Sequence, residues 1–570
     1  MIAQAAWITL RILTVYTVSW VLWKLCKRFV FKSPLDVLAG PPSLSLLSGN
    51  IPQLFDFNGW KYHRAVLDKY GRASRITGAF GERLLLTFDP KALHHILVKD
   101  QLIYEESTGF ITRNEVYFGK GLLATLGDQH RKQRKMMNPL FSIKHMRDMI
   151  PLFYEVTERL RTTLKTKVKP HGSQEIDILQ WMSRTALELI GQSGMGYSFD
   201  NLVDDQSNHP YSTSMKRFTL LTGGTFGFFT NQFVFPNAAK FNFPRVKRFI
   251  VNHFPWKKIQ DIRKLSDIMH DTSLEIIKMK KDAMNSTDPA IAKEMLEKKD
   301  IISVLSKVIS TCSVHQGSDS AAKVRANSEA DAADRMTDEE VYGQVSTFVL
   351  AGMETTSSAM SKILHLLAIH PDVQERLRNE IREAQKDGQL TYDQLVSLPY
   401  LDAVCRETLR VHPPVNFAGI RTVRKDMVLP FSKPVIGADG QEVSEIVVPN
   451  GTNIIISLLG SNTNPDIWGD DANEWKPERW LSPLPQTVTD AHMPGIYSHL
   501  MTFLGGGRAC IGFKFSQLEM KVVLSVLLST FKFEPSKHHV TWKMTNIVGP
   551  YVEDVDPTKP QLPLVMTLLD

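Results

Sequence analysis

Hydrophobic positions along the chain fall into three rhythms. The first is a nearly uninterrupted apolar run at residues 3–23, in which Arg11 is the only charge. The second has apolar residues returning every three or four positions, the signature of amphipathic helix. It predicts helices over 90–99, 176–190, 258–285, 300–309, 401–412 and 513–528, and a long one over 337–369. That long helix opens on the capping box Thr337-Asp-Glu-Glu340 and stops at His370-Pro371. The third rhythm is short apolar or alternating runs bounded by turn residues, which read as strands. These lie at 82–88, 415–421, 427–435 and 446–459, with turns at 438–440 and 449–451, and in the tail 530–570. Helix therefore dominates, with a minor β region.

The apolar run matches the ~20 residues that a membrane-spanning helix requires. Lys24, Lys27, Arg28 and Lys32 follow it, and the positive-inside rule leaves the rest of the chain in the cytosol. A cleaved signal peptide fits poorly, since residues 23–27 offer no small-residue cleavage site. Arg11 opposes a full span at a cost of about 2.5–3.5 kcal/mol, and an interfacial helix is the alternative. Three segments follow: an N-terminal membrane anchor at 1–28, a proline-containing spacer at 29–45 carrying Ala39-Gly-Pro-Pro-Ser43, and a catalytic body at 46–570. The sequons at Asn285 and Asn450 face the cytosol in this topology and stay free of glycan.

At 570 residues and 43% hydrophobic, the chain can bury a large core. Its four cysteines, Cys26, Cys312, Cys405 and Cys510, are too scattered for a disulfide framework and indicate a reducing compartment. The formal charge of +7 comes without a basic cluster of nucleic-acid type, which argues against nucleic acid as a partner. Residues 218–254 hold ten Phe between Gly, Asn and Pro breaks; they are either core or an apolar lid. Residues 313–335 are rich in Ser, Ala and Asp and read as a surface loop.

Chemistry concentrates near the C-terminus, in Phe503-Leu-Gly-Gly-Gly-Arg-Ala-Cys510-Ile-Gly512. A glycine-rich loop lets backbone N–H groups turn toward one sulfur, and a helix start just behind adds a positive dipole end. Both favour thiolate over thiol. A lone Cys in a tight turn is more often simply buried. The spacing FxxGxRxCxG would arise by chance in on the order of one in several thousand chains of this length. On these five positions the chain resembles the cytochrome P450 family. The resemblance implies that Cys510 is the axial thiolate of haem b iron, with Phe503 near the sulfur and Arg508 on a haem propionate.

Three further segments extend the resemblance across roughly residues 30–530. Ala351-Gly-Met-Glu-Thr-Thr356 sits mid-helix and matches the family's AGx(D/E)T(T/S) pattern, with Glu354 and Thr355 implied as the proton-delivering acid and hydroxyl. Bare, these are a carboxylate and a hydroxyl on an apolar helix, where Thr can bond back to the carbonyl four residues earlier. Glu407-Thr-Leu-Arg410 is an (i, i+3) pair worth little if exposed. The family buries it with the Arg of Pro477-Glu-Arg-Trp480, here Arg479. His130 and Arg134 share one face of a basic helix; the family has an aromatic, most often Trp, where His130 stands, and uses the pair to bind a haem propionate. Arg421 falls where the family places a second propionate-binding Arg.

The resemblance implies one large, mainly α domain of cytochrome P450 type with a minor β part and an N-terminal transmembrane helix, in a membrane-anchored eukaryotic enzyme of fungal secondary-metabolism type. It also implies a monooxygenase inserting one oxygen atom from O2 into a lipophilic small molecule, in the endoplasmic reticulum membrane, with membrane lipid as a contact. No flavin or nicotinamide fingerprint is present, so electrons must come from a separate NADPH-cytochrome P450 reductase. The alternatives are a haem-thiolate isomerase or dehydratase acting without O2, which would not need the Glu354–Thr355 pair, and a non-catalytic haem-binding protein.

Overall fold

The helix Asp338–Ile369 forms the axis of the molecule. The computed structural model describes residues 2–30, 32–204, 209–241, 243–284 and 336–569. Thr337 caps the axis helix as expected: its hydroxyl accepts from Glu340 N–H while Glu340 accepts from Thr337 N–H at 2.8 Å. Helices Ile178–Ile190, Lys257–Met284 and Phe513–Thr530 pack around it. Val345, Val349, Met353, Ile363, Leu364 and Leu367 are buried along one face, and Gln344, Thr347, Ser358 and Ser361 are buried on the other. The helix is thus enclosed on nearly all sides, and only one face is an apolar stripe. A truncation such as Leu364→Ala would cost about 2–5 kcal/mol. Pro371, free of an N–H to satisfy, opens the next helix, Pro371–Ala384.

The β region is larger than its sequence signal. A five-stranded sheet runs in the order Ala73–Thr77, Arg83–Thr87, Asn453–Ser457, Phe417–Val423, Tyr104–Glu106. Its last pairing sets Glu106 opposite Arg421. The run 446–459 divides at the expected turn 449–451, where Gly451 takes φ +82°, into the end of strand Glu442–Val448 and strand Asn453–Ser457. The helix expected from 176 starts instead at Ile178, because Ser173–Asp177 pairs with Pro563–Leu568 from the tail. Such a pairing across hundreds of residues overrides local helical preference.

The apolar N-terminal run does form a helix, Ile2–Val30. Among the described residues, no helix is long and apolar enough to cross a membrane. Gln4, Arg11, Thr14 and Thr17 interrupt its apolar surface, and the Arg11 guanidinium lies 3.2 Å from the Trp7 ring centroid. Trp20 packs edge-on against Phe80 and Phe233 at 5.4 and 6.3 Å, docking the helix on the body. The spacer beyond it also lies on the body, with Leu35 and Leu38 buried. The Phe-rich stretch divides between the two readings: Phe218, Phe228 and Phe235 are core, while Phe241, Phe243, Phe249 and Phe254 are exposed. The helix expected at 300–309, the loop at 313–335, Asn285 and Cys312 lie outside the described residues.

Candidate active site

Strand Leu500–Gly505 delivers the chain to a turn at Gly506–Arg508, and helix Phe513–Thr530 leaves just after Cys510. Gly506 has φ +68°, and a Cβ there would stand 1.8 Å from the Leu97 carbonyl oxygen, so only glycine fits. Gly507 N–H donates to Gln101 Oε1 at 3.0 Å. These two contacts clamp the loop to the segment 97–101. Cys510 N–H donates to the Phe503 carbonyl at 2.9 Å, which ties the two backbones together across the turn.

The loop does not by itself make a thiolate. Cys510 keeps an accessible surface but lies deep enough that burial pushes its thiol pKa up. The Gly512 N–H and the Arg134 charge pull it down without reversing the direction. A loop N–H does favour thiolate as expected, but desolvation, which the sequence does not show, outweighs it. A coordinated cation would supply the missing charge. Cys405 is a poorer candidate, being fully buried on helix Pro399–Val411 with its pKa pushed up to about 12 by burial.

Around the loop, four sequence-predicted residues converge. Arg134 donates to the Ala509 carbonyl at 2.5 Å. Arg508 donates to the Thr125 and Leu122 carbonyls at 2.6 and 3.3 Å. His130 is buried, and its pKa is driven down to about 3 by burial and by the charges of Arg508, Arg134 and Arg421. It is a neutral imidazole with an N–H to donate. A cavity of about 320 Å³ is lined by His130, Arg134, Arg421 and Arg508, together with Glu106 and Leu126. Arg421 Nε is buried without a hydrogen-bond partner. Cationic donors gathered at one cavity beside a cysteine loop fit the two propionates and the iron of a haem.

The axis helix carries the second half of the site. Phe141 links the halves: its ring lies 3.9 Å from where a Gly512 Cβ would sit and 5.7 Å from the Phe348 ring. Thr355 Oγ1 donates to the Ala351 carbonyl at 2.6 Å, the back-bond expected from the sequence. The helix nevertheless runs unbroken through this point, so the back-bond opens no gap. Ala351 presents an accessible face, whereas Gly352 packs on Ile190 and not against an open face. Glu354 Oε1 is buried without a hydrogen-bond partner. Burial raises its pKa, and Lys216 of helix Pro210–Thr222 lowers it.

Glu407, Arg410 and Arg479 form the buried cluster the sequence suggested. Arg410 is fully buried and places five N–H bonds: Glu407 Oε2 at 2.8 Å and Oε1 at 2.7 Å, and the carbonyls of Asn462, Ala472 and Glu474 at 3.0, 2.6 and 3.0 Å. Glu407 also accepts from Lys476 N–H, Arg479 Nε and the Trp480 indole. Asn462 in turn holds Met501 N–H at 2.8 Å and Thr502 Oγ1 at 2.8 Å, at the start of the strand leading to Cys510.

Sequence reasoning missed Glu106, Lys216 and Glu519. Their partners are far away in the chain, so no local spacing marks them. Only Glu519 carried a faint signal, as a carboxylate on the apolar face of a core helix.

A cysteine presented from a clamped glycine loop, a cationic cavity beside it, and an acid–hydroxyl pair on the helix beyond define a haem-thiolate protein. The family model of cytochrome P450 matches residues 39–549, and the chain belongs to that family. It is 46% identical to cytochrome P450 monooxygenase 91 of Postia placenta, over 97% of this chain and 98% of that protein. It is 43% identical to ganoderic acid synthetase CYP5150L8 of Ganoderma lucidum, over 97% of each. Cytochrome P450 monooxygenase 81 of Postia placenta is 45% identical over 96% of each chain. The protein is an oxidoreductase of the P450 monooxygenase class, and its cofactor is haem held through a cysteine thiolate.

Proposed function

We propose that the chain inserts one oxygen atom from O2 into a lipophilic small molecule, with Cys510 as the haem ligand and electrons drawn from NADPH through a separate reductase. Haem, when bound, supplies the iron at which O2 is reduced and cleaved. Phe503 shields the sulfur, and His130, Arg134, Arg421 and Arg508 receive the propionates. Glu407, Arg410 and Arg479 hold the loop from behind.

The observation that carries the reading is the pairing of Glu354 and Thr355 on the helix facing that loop. The Thr355 proton is committed to the Ala351 carbonyl, so the lone pairs of Oγ1 are free to accept from a water. Glu354, with a raised pKa and an unpartnered Oε1, is protonated more readily than an ordinary carboxyl and can hand a proton to that water. Neither rival activity needs this pair. The exposed Phe241, Phe243, Phe249 and Phe254, with the N-terminal helix docked near Phe233, support a membrane-facing entrance. The N-terminal helix attaches the enzyme to the endoplasmic reticulum with its body in the cytosol. The Ganoderma relative is named for ganoderic acid, and lipophilic precursors of that product are the first substrates to try.

Thr355→Ala tests the proposal. With reductase and NADPH, the variant will bind haem normally and keep consuming NADPH, while hydrogen peroxide rises and product falls. General acid–base groups contribute about 10²–10⁴-fold, and water can replace part of this, so product per NADPH should fall toward the lower end. Unchanged product per NADPH would refute the relay.

A further inference from the structure

The cationic cavity contains one acidic side chain that its propionate-binding role does not explain. Glu106 is buried at 8% exposure. Its Oε1 lies 2.7 Å from Arg421 Nη1 and its Oε2 lies 3.2 Å from Arg508 Nε. Its backbone is fixed by pairing with Arg421 in the sheet, and its carbonyl accepts from Arg424 Nη2 at 3.1 Å. The neighbouring Glu105 is turned to Arg424 Nε at 3.3 Å and acts on Arg421 and Arg508 only from a distance, behind Glu106. One carboxylate thus bridges arginines that are 87 residues apart in sequence (421 and 508).

We propose that Glu106 is a positioning residue for the cofactor, joining Arg421 and Arg508 into one rigid platform and setting the charge of the haem site. The inference rests on the haem assignment above. Its physical basis is twofold. A guanidinium held by a carboxylate loses rotamer freedom before the ligand arrives, which lowers the entropy lost on binding. The carboxylate also offsets one positive charge. Arg131, Arg134, Lys135, Arg421 and Arg508 line the cavity with Glu105 and Glu106, so the site is strongly cationic. Glu106, which touches both Arg421 and Arg508, trims that charge where it is densest. Without Glu106 the platform would hold an excess positive charge, which favours the more electron-rich ferrous state.

The test is spectroelectrochemical titration of the haem-loaded full chain and its Glu106→Gln and Glu106→Asp variants, together with haem transfer to apomyoglobin. The reduced carbon monoxide spectrum checks the haem assignment separately. Glu106→Gln should keep the red-shifted band but move the ferric–ferrous equilibrium toward ferrous by about three- to tenfold, about 30–60 mV upward at 59 mV per decade. Glu106→Asp keeps the charge but loses the reach, so its potential should stay at the native value while haem leaves several-fold faster. A Gln variant that binds no haem beside an Asp variant that does would also support the platform. A Gln variant with native potential and native haem release overturns the proposal. So does loss of haem from both variants with an unfolded far-UV spectrum, which would make Glu106 a structural residue of the sheet.

Discussion

Arg410→Lys retains the charge and should still be severely destabilising. Arg410 uses all five of its N–H donors, four of them on buried acceptors and the fifth on the partly buried Glu474 carbonyl. Lysine has three donors on one atom and cannot form the two-pronged contact with Glu407. At least two buried acceptors therefore lose their partners. At about 1–3 kcal/mol for each buried group left unpaired, the loss is about 2–6 kcal/mol, a large part of the usual 5–15 kcal/mol stability of a folded protein. The carbonyls released belong to Asn462, Ala472 and Glu474, and Asn462 holds the strand that leads into Cys510. Haem binding should weaken along with the fold. Urea unfolding followed by tryptophan fluorescence reads the first effect, since Trp475 and Trp480 flank the cluster, and the carbon monoxide difference spectrum reads the second. A variant within about 1 kcal/mol of the native enzyme, with full haem content, would refute the argument that donor count is what fixes this arginine.

Two further outcomes follow from charges elsewhere. Glu519 is fully buried, and neither carboxyl oxygen has a hydrogen-bond partner. Burial drives its pKa well above the ordinary range, with the Thr356 hydroxyl near enough to draw it partly back. The folded state thus holds a proton that the unfolded state releases above about pH 4.3, and stability falls as pH rises beyond that point. Glu519→Gln should remove this dependence, so its thermal midpoint gains on the native one from pH 5 to 8; parallel curves would show that Glu519 does not titrate this way. Arg131 and Lys135 line the cavity with Gly507 and Arg508, Lys132 lies on their helix, and Lys514 follows Cys510 by four residues. If they receive the reductase, first-electron transfer should slow as salt rises, because exposed charges are screened beyond about 10 Å at 0.1 M. A rate independent of ionic strength would exclude that surface.

How far the sequence reached depended on where each residue's partners lay. Thr337 with Glu340 and Thr355 with Ala351 are separated by three or four positions, so spacing alone announced both contacts. Gly506 had to be glycine for a reason the sequence could not show, namely the Leu97 carbonyl more than 400 residues earlier. Residues 176 and 177 looked helical until the tail supplied a strand to pair with. Desolvation at Cys510 stayed out of sight on the same ground: loop and dipole are local and visible, whereas burial is a property of the whole fold. Glu106 and Lys216 were invisible because their charges are balanced across the molecule. The membrane-span expectation counted apolar residues correctly but gave too little weight to Gln4, Arg11, Thr14 and Thr17 taken together.

The central claim is that Cys510 holds the haem iron, and Cys510→Ser tests it with one spectrum. The reduced carbon monoxide complex of the native enzyme should show the red-shifted Soret band of thiolate ligation. The variant should lose that band while Cys405→Ser keeps it. Retention of the band in Cys510→Ser would mean that another residue binds the iron, and the site built around the Phe503–Gly512 loop would be wrong.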